Sequence, residues 1–304
     1  MKNLVSILLT VALMALGACS KGKSTPTATS VAAVDTVETL DLPVIPPDVT
    51  DPNLRADFIA LHFWDSMDFR DTVRSRNSDF IQQNFVNYLS ILPYTSSTDV
   101  VGEGFSRLLD KACVDSAAYD LLLSTADKYL DDPNSPMLSE DIYIIYLNSL
   151  IQSGRLDDNS LAVKKYRLEM AGKNRPGTLA ADFSFVTSEG AGYTLTHYVN
   201  TQSCDVMLVF FDPECDHCDE ILGELTSNPR LNTEIADGTI RVLAMYSGEN
   251  ENAWRDKAAE LPSSWTIGYN AGSVVDDELY FLPALPSIYI IGHNGIVKEK
   301  DVRM

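Results

Sequence analysis

Positive charge is scarce in this chain: 23 Lys and Arg stand against 43 Asp and Glu, a formal net charge of −20 over 304 residues. Such a balance repels polyanions, which argues against nucleic acid and anionic lipid surfaces as ligands of the folded part. A membrane-spanning run is also missing at the N-terminus, where the apolar stretch Leu4 to Leu16 falls short of the roughly 20 residues a spanning helix needs. No repeat of fixed period is present, so a solenoid is not expected. Cysteine is sparse at five, while a hydrophobic content of 45% in 304 residues allows two cores of ordinary size.

Met1-Lys2-Asn3, the apolar run and Leu16-Gly17-Ala18-Cys19 follow the order of a secretory signal: basic start, short apolar core, small residues before a cleavage point. Leu-Gly-Ala-Cys resembles the bacterial lipobox. That resemblance implies a signal peptide over 1–18, cleavage before Cys19 and lipidation of its thiol; an ordinary signal with a free Cys19 is the alternative. Several acyl chains hold a protein stably where one holds it marginally. Residues 19–50 are Ser, Thr, Ala and Pro with few large apolar side chains, so a disordered tether is expected. These features point to the cell envelope, with the protein anchored to a bacterial membrane and facing the periplasm.

From 51 to 173 apolar residues recur at helical spacing. Leu54, Phe58 and Leu61 form one stripe; Ile81, Phe85, Tyr88 and Leu92 a second; Phe105, Leu108, Leu109 and Ala112 a third. Tyr119, Leu122, Ala126 and Tyr129 form a fourth, Tyr143, Tyr146, Leu147 and Leu150 a fifth, and a sixth helix is expected from Leu161 to Ala171. Pro93, the run 131–136 and Gly154 punctuate them. This is an all-α domain of five or six helices, with Cys113 expected as a buried thiol on the third.

After Asn174-Arg175-Pro176-Gly177 the pattern changes to alternating strands and helices, defining a second domain over 174–304. Strands are expected at Phe183–Thr187, Val206–Phe211, Ile240–Tyr246, near Trp265–Tyr269, at Ile288–Ile291 and at Ile296–Lys300. Helices are expected at Cys215 to about Thr226 and Asn252 to about Leu261. Asn294-Gly295 between two β-branched runs signals a hairpin. No terminal helix is expected after the last strand, so either the helical domain covers one sheet face or the domain is incomplete.

The chemistry concentrates at Cys215-Asp216-His217-Cys218, directly after the apolar strand. Cysteines at i and i+3 in the first turn of a helix can close a small disulfide ring. The first of them meets unpaired backbone N–H groups that favour a thiolate. A zinc site with His197 and Cys204 is the competing reading, but seven strand residues would hold Cys204 and Cys215 about 20 Å apart at ~3.3 Å per residue. No metal or other cofactor is therefore expected.

Three stretches together resemble the thioredoxin-like family, in particular its membrane-tethered envelope members. They are Ala181-Asp182-Phe183 before a Gly-containing turn, Cys215-x-x-Cys218, and Leu285-Pro286-Ser287 before Ile288–Ile291. The resemblance covers about 176–300 and implies an α/β thioredoxin-like domain, a central mixed sheet flanked by helices. It implies Cys215 as the attacking thiol, Cys218 as the resolving thiol and Pro286 as a cis-proline facing them. Residues 129–136 with 167–177 resemble a helical domain of unknown function that precedes such domains in envelope lipoproteins.

The activity expected is thiol-disulfide exchange on exported proteins with disulfides, recharged by a membrane or envelope electron donor. The alternative is an interaction module in which Cys215 and Cys218 form only a staple. The family's aromatic residue before the first cysteine is Glu214 here, and its strand acid is replaced by Val209 or a neighbour, leaving Glu224 as a weak candidate proton acceptor. His217 favours the thiolate, but Asp212, Glu214, Asp216, Asp219 and Glu220 oppose it. The expected potential is nearer the about −270 mV of thioredoxin than the about −120 mV of the strongest oxidant, which makes the role reducing or isomerising.

Overall fold

The computed structural model describes residues 38–300. Seven α-helices come first: α1 (Pro52–His62), α2 (Thr72–Ser75), α3 (Ser78–Leu89), α4 (Thr98–Ala112), α5 (Ser116–Leu130), α6 (Glu140–Gln152) and α7 (Asp158–Ala171). Each starts at a side chain that accepts from the first-turn N–H groups: Asp51, Asp71, Asn77, Ser97, Asp115, Ser139 and Asp157. A cap of this kind is worth about 1 kcal/mol. The stripes expected on α3, α4 and α6 all face one core, in which Phe85, Tyr88, Phe105, Tyr146 and Leu147 are fully buried.

Three expectations are corrected here. The first helix turns Ala56, Asp57 and Ala60 inward and leaves Leu54 54% exposed. The Asp57 carboxylate accepts from the Ser96 backbone N–H at 2.7 Å and its hydroxyl at 2.6 Å, and the small alanines let α1 approach α4, where a Cβ on Gly104 would collide with the Tyr88 hydroxyl. Cys113 is half-exposed at the C-cap of α4, its Sγ donating to the Asp110 carbonyl at 3.1 Å. Finally, order begins before residue 50: Asn84, fully buried on α3, accepts from Leu40 N–H at 2.7 Å and donates to Glu38 O, and Leu40 packs on the helical core. A buried amide must find partners, and the extended chain at 38–40 supplies them.

The remainder is one sheet with its helices: β1 (Ser184–Thr187), β2 (Gly192–Thr194), α8 (Leu195–Thr201), β3 (Asp205–Phe211), α9 (Asp216–Ser227), α10 (Pro229–Ala236), β4 (Ile240–Tyr246), α11 (Glu251–Glu260), β5 (Thr266–Tyr269), α12 (Ser273–Asp276), β6 (Ser287–Ile291) and β7 (Val297–Lys300). The order across the sheet is β2-β1-β5-β4-β3-β6-β7. Strands β3, β4 and β5 are parallel neighbours, while β6 and β7 run antiparallel beyond β3.

Strand β3 alternates between two cores, Met207, Val209 and Phe211 on one face and Val206, Leu208 and Phe210 on the other. It is a strand buried on both sides, as its continuous apolar run demands. The first face is covered by α9, α10 and α11 through Leu222, Leu225, Leu231, Ile235 and Trp254. The second is covered by α8 and by Val274 and Tyr280. That face is therefore neither bare nor left to the first seven helices.

Those helices meet the sheet region elsewhere. Lys300 Nζ, at the end of β7, donates to Glu140 Oε1 of α6 at 2.6 Å, and the Arg167 guanidinium lies 5.4 Å from the Phe281 ring centroid. Tyr166 and Lys173 bond Glu278, and Asn174 bonds the Leu279 carbonyl.

Candidate active site

The chain leaves β3 at Phe211, turns through Asp212-Pro213-Glu214 and enters α9 with Cys215 as its N-cap. Cys215 has extended backbone, φ −107° and ψ 113°, and its Sγ accepts from the Cys218 backbone N–H at 3.3 Å. Sulfur thus occupies the position an oxygen takes in an ordinary cap, among donors that have no helical partner. Cys215 is half-exposed, whereas Cys218 is fully buried. Burial pushes the Cys218 thiol up to about 12, despite the Asp212 backbone N–H that donates to its sulfur at 3.5 Å.

The peptide bond between Leu285 and Pro286 is cis. Leu285 packs in the same cluster as Cys215 and Cys218, so the loop before β6 and the start of α9 form one edge of the molecule. Beside this edge lies a cavity of about 690 Å³. His217, Ile221, Leu285 and Pro286 line one side of it, and Leu138, Tyr143 and Arg167 of the helical region line the other.

A family model described as a domain of unknown function, DUF5106, matches residues 18–174. The crystal structure of a thioredoxin-like protein from Bacteroides caccae aligns over 88% of this chain and 96% of that one, with 32% identity and a TM-score of 0.79. The chain belongs to the DUF5106-containing thioredoxin-like proteins. A conserved protein of unknown function from Bacteroides fragilis is 34% identical over 43% of this chain and 93% of its own, at a TM-score of 0.40. The thioredoxin domain of a thiol-disulfide oxidoreductase from Bacteroides vulgatus is 20% identical over 43% and 90%, at 0.37. No curated protein matches the chain.

In this thioredoxin-like protein the acidic residues around the cysteines separate into different roles. Asp219 pairs with Lys257 Nζ of α11 at 2.8 Å, and Glu260 completes the pair at 2.9 Å; both raise the Lys257 ammonium above its ordinary range. Glu214 accepts from Asn250 Nδ2 at 3.3 Å. His217, with 65% of its side chain exposed, lies 3.6 Å from Glu220 Oε2. Glu224 is exposed on α9.

Sequence reasoning counted Asp212 only among the charges that oppose the thiolate, and missed its place beside Cys218. Its charge bears on Cys218, and its Oδ1 accepts from the Glu214 N–H at 2.8 Å, which orients the carboxylate. Asp212 directly follows β3, three residues before the first cysteine, and it is the turn at 212–214 that brings its backbone N–H to the Cys218 sulfur.

Cys204 precedes β3 and Cys215 follows it, at opposite ends of that strand. His197 is exposed on α8, its ring centroid 6.0 Å from that of Tyr193. Neither joins the site. Cys19, the signal segment 1–18 and the tether up to residue 37 lie outside the described residues.

Proposed function

We propose that this protein is a lipid-anchored thiol-disulfide oxidoreductase of the cell envelope that reduces or isomerises disulfides of exported proteins through Cys215 and Cys218. The observation that carries the reading is the asymmetry of the pair: a half-exposed sulfur at a helix N-cap and a fully buried sulfur one turn on, its N–H donating to the first. The exposed Cys215 thiolate attacks one sulfur of a partner disulfide. The partner's S–S bond breaks, a mixed disulfide forms, and the second partner sulfur leaves as a thiolate that takes a proton.

Cys218 then gives up its proton, with the Asp212 carboxylate as the nearby acceptor. Its thiolate attacks the Cys215 sulfur, closing the internal disulfide and releasing the partner as a dithiol. The protein has lost two electrons and two protons to its partner. In an oxidising compartment a dithiol donor of the envelope must return them.

Among the described residues no helix is long and apolar enough to cross a membrane. The anchor in this reading is Cys19. Cys19→Ser should release the protein from the membrane fraction; retention in the pellet would remove that part of the proposal. The redox part is tested with the purified reduced chain and bis(2-hydroxyethyl) disulfide. Rapid exchange that depends on Cys215 supports it, whereas a pair that resists mild reductant and does not exchange is a staple.

A further inference from the structure

The cavity beside Pro286 has walls of two origins, and this bears on what enters it. Leu285 and Pro286 of the cis loop and His217 of α9 form the wall next to Cys215; Leu138, Tyr143 and Arg167 form the facing wall. Its volume of about 690 Å³ lies within the roughly 300–1,000 Å³ of sites that hold a ligand.

The charges lining it are met by partners: Arg167 by Asp131 at 3.5 Å, Lys300 by Glu140 at 2.6 Å, and His217 faces Glu220 at 3.6 Å. An ionic ligand would find no unmatched counter-charge there and would lose its hydration on entering. An uncharged, apolar group loses nothing of that kind and gains the contact of Leu138, Leu285 and Ile221.

The cavity is also adjacent to the site: neither cysteine lines it, but His217, two residues after Cys215, does, and Ile221 and Leu285 of its wall pack in the same cluster as Cys215 and Cys218. A polypeptide whose sulfur reaches Cys215 carries its next residues away at about 3.3 Å per position along an extended chain, so a side chain one or two residues from the cysteine is within reach of the wall formed by His217 and Leu285.

We propose that this cavity receives an apolar side chain of the partner polypeptide, close in sequence to its reacting cysteine, and that the helical region thereby selects the substrate. The inference rests on the exchange reading above. It assigns the DUF5106 region a direct part in recognition: the turn between α5 and α6 contributes Asn134 and Leu138 to the lining.

The test uses the full reduced chain and two disulfide-linked peptides that differ only by Phe or Ser two residues from the cysteine, with bis(2-hydroxyethyl) disulfide as a probe that carries no side chain. The Phe peptide should exchange about tenfold faster than the Ser peptide, the scale of burying one large apolar side chain. Leu138→Arg should bring that ratio close to one, and so should Asn134→Trp, which adds bulk to the lining from an exposed position. Equal rates for both peptides with the unmodified chain, while the small disulfide still exchanges, overturn the inference alone; so does a ratio that survives in both variants. No exchange with any of the three probes overturns the exchange reading and the inference with it.

Discussion

Lys300 Nζ donates to Glu140 Oε1 at 2.6 Å and to the backbone oxygens of Lys173 at 2.9 Å and Ala171 at 3.4 Å, with 3% of the lysine side chain exposed. The last described strand is thus tied to the helical region through a nearly dry ammonium. Removing the ammonium takes away a charge-assisted hydrogen bond to Glu140, whose side chain is 27% exposed, and leaves the backbone oxygens of Lys173 and Ala171 without this donor.

Lys300→Met should therefore lower unfolding stability by about 1.5 kcal/mol. Urea denaturation of both chains measures it. A change within about 0.5 kcal/mol, the usual range for a surface substitution, would mean that the contact does not hold the two regions together.

Cys218 supplies a pH dependence. Its folded value, pushed up to about 12 from an ordinary 9.0 by burial, means the unfolded chain loses this proton first as pH rises. Stability from the buried thiol is therefore complete below pH 9 and is lost between 9 and about 12. The reduced protein should lose about 1 kcal/mol between pH 9 and 10 that Cys218→Ala retains. Thermal melts of the two chains across that interval decide it, and parallel curves would show that burial does not hold the proton on Cys218.

Much of this arrangement is legible in the residues. The apolar run of β3, the full extent of β4 and the Asn294-Gly295 hairpin follow from pattern alone, because short continuous apolar runs and a turn with Gly295 at φ 77° admit few alternatives. The helices α8 and α10 are not anticipated. Each is short, with seven and eight residues, so no full apolar stripe builds up, although Asn228-Pro229 is a helix start that could have been read. On α1 the stripe misleads because the inward face is chosen by an Asp57 hydrogen bond from a distant residue. The role of Asp212 and the facing walls of the cavity depend on tertiary contact, which local periodicity does not encode.

Asp212 should act on the second half of the reaction. In Asp212→Asn the amide oxygen can still accept from Glu214 N–H, so the turn is kept while the proton acceptor is lost. Closure of the internal disulfide should slow by at least about tenfold at pH 7, with the gap narrowing as pH rises and water or hydroxide takes over. Single-turnover quenching reads the mixed disulfide directly. An unchanged lifetime would assign that proton to solvent.

In the proposed reading the acidic residues around the pair outweigh the exposed His217, and the protein acts as a reductant or isomerase. Equilibration against a glutathione series should give a potential more negative than about −180 mV, the value typical of isomerases. A more positive value would make the protein an oxidant.

The unequal roles of the two cysteines are the centre of the account, and trapping tests them most directly. Cys218→Ala keeps the exposed sulfur at the helix start and removes the one that releases the partner, so mixed disulfides through Cys215 should accumulate with partner proteins and appear on non-reducing gels. Cys215→Ala should trap almost nothing, because its remaining sulfur is buried. Equal trapping by both variants, or by neither, would contradict the assignment of Cys215 as the attacking thiol.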